Sequence, residues 1–261
     1  MPIFGTVKTT LSLVVAQASD LVVAAAGLFP LYYALALASA GSRNALIDAL
    51  ALSAGLMVMA VMSVAWYRTF LLGARAALLP RLSRRHLRMS LMALLLSLLI
   101  YGPAWVAEAF VRPTPVEDLF REVIAVAILV TVLLVSSYLF LRLFLVLAAI
   151  ALDETFGLRD ALRASAGNGW RLLLVSILLT LPWGLLLIGA DIAFAASLDE
   201  PNWVSLAFGL EGPGIGGLRE AVYVALQSLV HVVFGVLSAT LGSVAFTKLT
   251  AWAPPSSGAG T

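Results

Sequence analysis

The chain has 261 residues, 62% hydrophobic and 11% charged, with a net charge of +2 and a mean hydropathy of +1.03. Soluble domains are near half apolar and a quarter charged, so this composition excludes an ordinary water-facing exterior and predicts a surface that meets lipid. With no cysteine, disulfides, zinc-thiolate sites and a cysteine nucleophile are excluded as well.

In chain order, Val7, Leu11, Val14, Val15 and Ala18 recur at helical spacing, with Lys8, Gln17 and Asp20 off that face. This pattern predicts an interfacial amphipathic helix leading into a first membrane span. The alternative is a cleaved signal peptide ending at Ala38-Ser39-Ala40, which leaves five spans. Against it, the apolar stretch exceeds the roughly 7–15 residues of a signal core, and Asp20 interrupts it. A helix needs roughly 20 apolar residues to cross hydrocarbon, and six runs qualify: 21–40, 45–66, 89–110, 123–141, 172–197 and 221–246. They are continuously apolar, whereas barrel strands alternate. The expectation is an all-α, polytopic transmembrane helical bundle of six spans with short interfacial helices. It forms one membrane domain over residues 1–252, and the Pro/Ser/Gly-rich tail 253–261 reads as disordered.

The pI of 9.1 invites a nucleic-acid reading, which the distribution of charge rejects. Arg68, Arg75, Arg81, Arg84, Arg85 and Arg88 lie between the second and third spans with no acid among them. Arg142, Arg159, Arg163 and Arg171 lie between the fourth and fifth, Lys8 precedes the first and Lys248 follows the last. The alternate loops carry Glu117, Asp118 and Glu122 against Arg112 and Arg121, then Asp199, Glu200, Glu211 and Glu220 against Arg219, and the short turn after the first span has only Arg43. Basic residues favour the cytoplasm, so an inner-membrane protein with both termini inside is expected. Its expected partners are anionic headgroups at Arg81, Arg84, Arg85 and Arg88 and other membrane proteins. A docking site for an acidic partner or nucleic acid is the rival reading of those loops.

Residues 153–170 read as a short helix on the inner leaflet, with Leu158, Ala161, Leu162 and Ser165 on one face and Arg159, Asp160 and Arg163 on another. Gly167-Asn168-Gly169 would end it, because these residues tolerate the left-handed conformation. Trp170 and Arg171 would then anchor the next span at the headgroups. Arg68 and Arg142, where spans leave the membrane, can snorkel. The segments 68–78 and 142–152 can also be superimposed, matching Arg68/Arg142, Phe70/Phe144, Leu71/Leu145, Ala74/Ala148, Ala77/Ala151 and Leu78/Leu152, the signature a parallel repeat would leave.

Arg142 through Leu152-Asp153, the block Leu158-Arg-Asp-Ala-Leu-Arg163, Gly167-Asn-Gly-Trp-Arg171 and Trp66-Tyr-Arg-Thr-Phe-Leu-Leu-Gly73 resemble a bacterial inner-membrane family. It groups YciC-type proteins with the membrane domain of some glycerophosphodiester phosphodiesterases. The resemblance covers about a fifth of the chain in short blocks. It implies a helical inner-membrane protein and singles out Arg68, Arg142, Asp153, Asn168, Trp170 and Arg171. The phosphodiesterase activity belongs to a separate soluble barrel, for which no stretch here is polar or long enough, and is not carried over.

Polar groups inside spans are the default functional candidates in a bilayer. Gln227 and His231 lie one turn apart on the sixth span, and Gly235, Ala239, Gly242 and Ser243 continue or flank that face. One reading is a packing seam of small residues; the other is a proton or substrate relay through His231. Asp20, Asp48, Glu108 and Asp191 read as boundary residues, and Pro182 with Gly184 as a bend in the fifth span. Catalytic patterns fail. The 212–217 segment matches a dinucleotide fingerprint, but no acid follows Glu220. His86 and His231 are the only histidines, so no two-histidine zinc helix exists. No metal or cofactor is implied. The expected function is a non-enzymatic scaffold, envelope or lipid-associated protein. The alternative is a small transporter or channel using the Gln227/His231 face.

Overall fold

The computed structural model describes residues 1–41, 44–78, 80–111, 119–195 and 218–253. The acidic loops, the 212–217 segment and most of the tail lie outside the described residues, as do the side chains of Glu108, Glu122 and Glu220. Among the described residues every regular element is helical: α1 Ile3–Ala16, α2 Ala18–Ala26, α3 Phe29–Gly41, α4 Ala45–Leu72, α5 Arg84–Val111, α6 Leu119–Leu143, α7 Leu145–Ala151, α8 Leu158–Ala164, α9 Gly169–Ala195 and α10 Leu218–Thr250.

Four segments are long and apolar enough to cross a membrane: Leu46–Leu72, Val130–Ala151, Gly169–Phe194 and Ala221–Thr250. Their exteriors are apolar. Along α9, Leu174, Ile177, Leu178, Leu181, Leu185, Ile188 and Ile192 are all exposed. A patch of that extent exceeds what a water-soluble monomer carries. The protein is membrane-embedded, with lipid-facing helices around a core of Met62, Trp66, Tyr67, Phe144, Leu145 and Phe246.

α10 is the central helix, and close approach by small residues explains how. A Cβ added to Gly235 would fall 2.6 Å from the Met59 side chain and 2.9 Å from the Trp66 ring. One added to Gly242 would fall 2.5 Å from the Tyr67 hydroxyl and 2.9 Å from the Phe144 ring. Ala239 and Ser243, on the same face, are buried. The seam expected on this helix therefore packs against α4 and the α6–α7 junction.

Three expectations need correction. The first predicted span, 21–40, is not one helix, because the chain breaks at Gly27 and Leu28 between α2 and α3. Gly27 lies directly against the backbone carbonyl of Leu78, where no side chain fits. Pro30, in the first turn of α3, starts a new helix at the position where a missing N–H is harmless. The second correction concerns α1. Of its predicted apolar face, Leu11 and Val15 are exposed, together with Phe4, while Val7 and Val14 pack inward beside fully buried Thr6 and Thr10. The two threonines satisfy their hydroxyls on Pro2 and Thr6 carbonyls, at 2.7 and 2.9 Å, so they can be buried without loss. Helix α1 thus turns Thr6, Thr10, Val7 and Val14 toward protein and leaves Phe4, Leu11 and Val15 outward together with Lys8 and Ser12. The third is the fourth span. Its apolar helix does not stop at Leu141 but resumes after a turn at Phe144 and runs to Ala151, because α7 is made of Leu, Val, Ile and Ala buried by its neighbours.

The superimposable segments differ locally. After Arg68 the helix ends at Leu72, with Gly73 left-handed (φ 62°), whereas the matched stretch after Arg142 continues as α7. Helix α9 runs unbroken through Pro182.

The bundle has two recognisable ends. At one, Met1 lies beside Asn168, and Gly27 lies beside Leu78. At the other, Tyr33, Ala36, Leu37 and Ala40 of α3 pack on Phe194, Tyr223 and Val224. The α1–α2 unit, bent by 67° at Gln17, therefore begins and ends at the arginine-rich end, and α3 runs from there to the opposite end.

Candidate functional site

The six residues singled out by the family resemblance come together at the arginine-rich end. Asp153 follows α7 with φ 60°, a left-handed backbone that aspartate adopts more readily than most residues. That turn aims its carboxylate at Arg85 on α5, 3.2 Å away, the one ion pair among the described residues. Arg68 of α4 donates from Nη1 to the Ala151 carbonyl at 3.2 Å. A cation there satisfies one orphan carbonyl of a helix C-terminus and complements its dipole. Arg68, Arg85 and Asp153 thus tie the ends of α4, α5 and α7 into one cluster.

His86 sits beside this cluster, outside the spanning segments. Its Nδ1 accepts the Ser83 N–H at 3.0 Å, so the proton of the neutral ring is on Nε2. Burial, then the neighbouring Arg85, pulls its pKa below the ordinary histidine value.

Arg142 makes a second latch. Its Nε donates to Ser165 Oγ at 3.1 Å and its Nη2 to the Leu162 carbonyl at 2.6 Å, while the guanidinium lies 5.8 Å from the centre of the Tyr138 ring. Tyr138 in turn packs on Trp170, with centroids 4.9 Å apart. A Cβ on Gly169 would fall 2.6 Å from that tyrosine ring. A larger residue at 169 would have to displace the Tyr138 ring, while Gly167 takes the left-handed turn (φ 72°). The short helix ends at Ala164, earlier than its sequence suggests. Asn168 Oδ1 accepts from the Met1 amine at 3.2 Å, and Arg171 Nη1 reaches the Met1 carbonyl at 3.5 Å. Trp252 Nε1 donates to Glu154 at 3.2 Å. These interactions are structural latches, since each charged group bonds to a helix end or a loop.

Arg75, Arg81, Arg84, Arg88, Arg159, Arg163 and Arg171 are exposed at this end. Leu78, Leu82, Leu87 and Trp170 are exposed among them, Leu82 at 78% and Trp170 at 65%.

Gln227 and His231 belong to a different group, nearer the opposite end. Gln227 Nε2 donates to the Tyr223 hydroxyl at 2.6 Å, and Tyr223 donates to Asp191 Oδ1 at 2.7 Å. His231 Nδ1 lies 2.8 Å from the Gln227 carbonyl, so that nitrogen carries the hydrogen. Spacing by four residues keeps Tyr223, Gln227 and His231 on one helix face. Sequence reasoning missed Tyr223, although it stands one turn before Gln227, and treated Asp191 as a boundary residue. It placed Ser165 on a face of the short helix without its partner Arg142, and it missed Glu154 and Trp252, whose signals are tertiary. Asp48 lies in the first turn of α4, where an acid complements the dipole.

His231 also lines a groove of about 570 Å³ formed with α3, α4 and α5. A second crevice of about 360 Å³ lies between α6, α9 and α10 and carries the hydroxyls of Ser137, Ser176, Thr180 and Ser238. Among the described residues, no three His, Asp or Glu side chains gather as a metal set. No family model, no curated protein and no solved structure matches the chain.

Proposed function

We propose that the chain is a six-span, non-enzymatic protein of a bacterial inner membrane, with both termini cytoplasmic, that serves as a scaffold or envelope component by holding anionic lipid at its arginine-rich end. The crossings are α3, α4, α5, α6–α7, α9 and α10. In this reading the α1–α2 unit returns to the end it started from and is not counted, and the crossings are even in number. The segment 1–40 stays with the mature protein in this reading, since Leu21 and Ala24 are part of the core. The resemblance to the YciC-type group agrees with this assignment and adds no activity.

The observation that carries the proposal is the interleaving of exposed arginines with exposed leucines along 78–88. Guanidinium groups at headgroup depth with leucines beside them suit an anionic leaflet, at roughly 1 kcal/mol per basic residue. Arg85 is held by Asp153, so Arg81, Arg84 and Arg88 carry the contact. The test is native mass spectrometry of the protein released from vesicles of mixed anionic and zwitterionic phospholipid. Wild type retains anionic lipid preferentially. The R81Q/R84Q/R88Q variant loses that preference by about five-fold per arginine, the equivalent of about 1 kcal/mol each. An unchanged lipid ratio contradicts the proposal.

One observation favours the transporter reading, namely the polar file Asp191–Tyr223–Gln227 leading to His231. Solute flux into proteoliposomes that is lost in His231→Ala would favour it over the scaffold.

A further inference from the structure

We propose that the groove beside His231 is an intramembrane binding site for an uncharged lipid carrying a hydroxyl donor, of the acylglycerol or long-chain-alcohol class. This inference rests on the membrane-embedded reading and on nothing at the arginine-rich end.

His231 lies ten residues into the Ala221–Thr250 segment, about 15 Å along an axis of about 45 Å at about 1.5 Å per residue; a hydrocarbon core about 30 Å thick centred on that segment leaves it inside the core, about 7–8 Å below the edge. It is nonetheless exposed. An exposed imidazole at that depth is unfavourable unless something polar meets it. Its Nδ1–H is already committed to the Gln227 carbonyl. In the neutral ring the remaining nitrogen, Nε2, is then an acceptor, and what it lacks is a donor. The groove supplies the matching surroundings. Ser39, Ser53 and Ser97 place hydroxyls on three separate helices, and Leu52, Leu56 and Leu98 line the rest. Its volume of about 570 Å³ lies within the range of small-molecule sites, roughly 300–1,000 Å³.

The chemistry narrows the occupant. A phospholipid headgroup stays at the core's edge, because charge is excluded from the hydrocarbon. An acyl chain reaches His231 but offers no donor to Nε2. An uncharged lipid with a hydroxyl does both. Its O–H donates to His231 Nε2, its oxygen can accept from a groove serine, and its chain lies along the leucines. The file Asp191–Tyr223–Gln227 continues the polar face of α10 toward the far end of the bundle.

The experiment reconstitutes the full chain in phospholipid vesicles with a monoacylglycerol carrying a diazirine on its acyl chain. Photolysis is followed by peptide mapping. Labelling is expected to concentrate on α3, α4 and α5 around Ser39, Ser53 and Ser97, and to be displaced by unlabelled monoacylglycerol. The same probe with its hydroxyls methylated keeps the chain and the oxygens but has no donor. Its labelling there should be about five-fold weaker, the worth of one hydrogen bond. His231→Phe should lose the same factor for the free-hydroxyl probe and leave the methylated probe unchanged. If His231→Phe does not assemble, the comparison of the two probes on the unaltered protein decides alone. Equal labelling by both probes, or labelling spread evenly over lipid-facing α9, overturns the site and leaves the membrane assignment intact. A chain that does not enter the vesicles overturns both.

Discussion

Replacing Gly242 by alanine is expected to weaken the bundle, although alanine is the better helix former by about 1 kcal/mol. The new Cβ would lie 2.5 Å from the Tyr67 hydroxyl and 2.9 Å from the Phe144 ring, and both side chains are fully buried. Phe144 can yield only toward the crevice it borders between α6, α9 and α10, whereas Tyr67 is enclosed, so α10 must move away from α4. Overpacking of this kind costs about 1–3 kcal/mol, which outweighs the propensity gain. Gly242→Leu, with three more carbons in the same place, should lie at or beyond the upper end of that range. Thermal unfolding in mild detergent reads the result. The order wild type, Gly242→Ala, Gly242→Leu in falling midpoint is predicted. An alanine variant more stable than wild type would show that the helices do not meet there.

Arg142→Ala should release the short helix α8 while leaving the spans in place. The guanidinium bridges Ser165 Oγ and the Leu162 carbonyl and lies near the Tyr138 ring. Charge-assisted hydrogen bonds are worth about 1.5–3 kcal/mol, so losing both should raise local opening by roughly two orders of magnitude. Trypsin cleavage after Arg159 and Arg163, both exposed, reports that opening directly. Arg142→Lys should rescue little, because an ammonium is a point donor and lacks the planar fork that reaches two acceptors. Cleavage at the wild-type rate in Arg142→Ala would mean that α8 is held by something else.

The membrane environment was legible because it depends on summed composition, which single packing details do not alter. Runs of about 20 apolar residues located α9 and α10 to within four residues at each end and α4 to within six. What periodicity could not supply were contacts between distant segments. Nothing local to Gly27 signals that the Leu78 carbonyl lies against it, so a continuous helix over 21–40 was the natural expectation. Thr6 and Thr10 gave no signal of burial, which is possible because their hydroxyls are satisfied on their own helix. Helix α7 was hidden for a related reason. Arg142 reads as the end of a span, yet its side chain turns to α8 and lets the apolar chain continue. The residues flagged by the resemblance lie at one end of the bundle, where Arg68 and Arg142 bond helix-end carbonyls, Asp153 pairs with Arg85 and Trp170 packs on Tyr138. The Gln227/His231 pair was legible from its spacing. Its extension through Tyr223 to Asp191 was not, because that link joins α9 to α10.

The most direct measurement uses the absence of cysteine in the chain. Single cysteines replace Arg84, at the start of α5, and Asn44, ahead of α4 at the opposite end of the bundle; both positions are exposed. A membrane-impermeant maleimide added to intact spheroplasts should label Asn44→Cys only, and the same reagent added to inverted vesicles should label Arg84→Cys only. Labelling of both positions from one side, or recovery of the chain as a monodisperse particle without detergent, would contradict a bundle that crosses a membrane with its arginines inside.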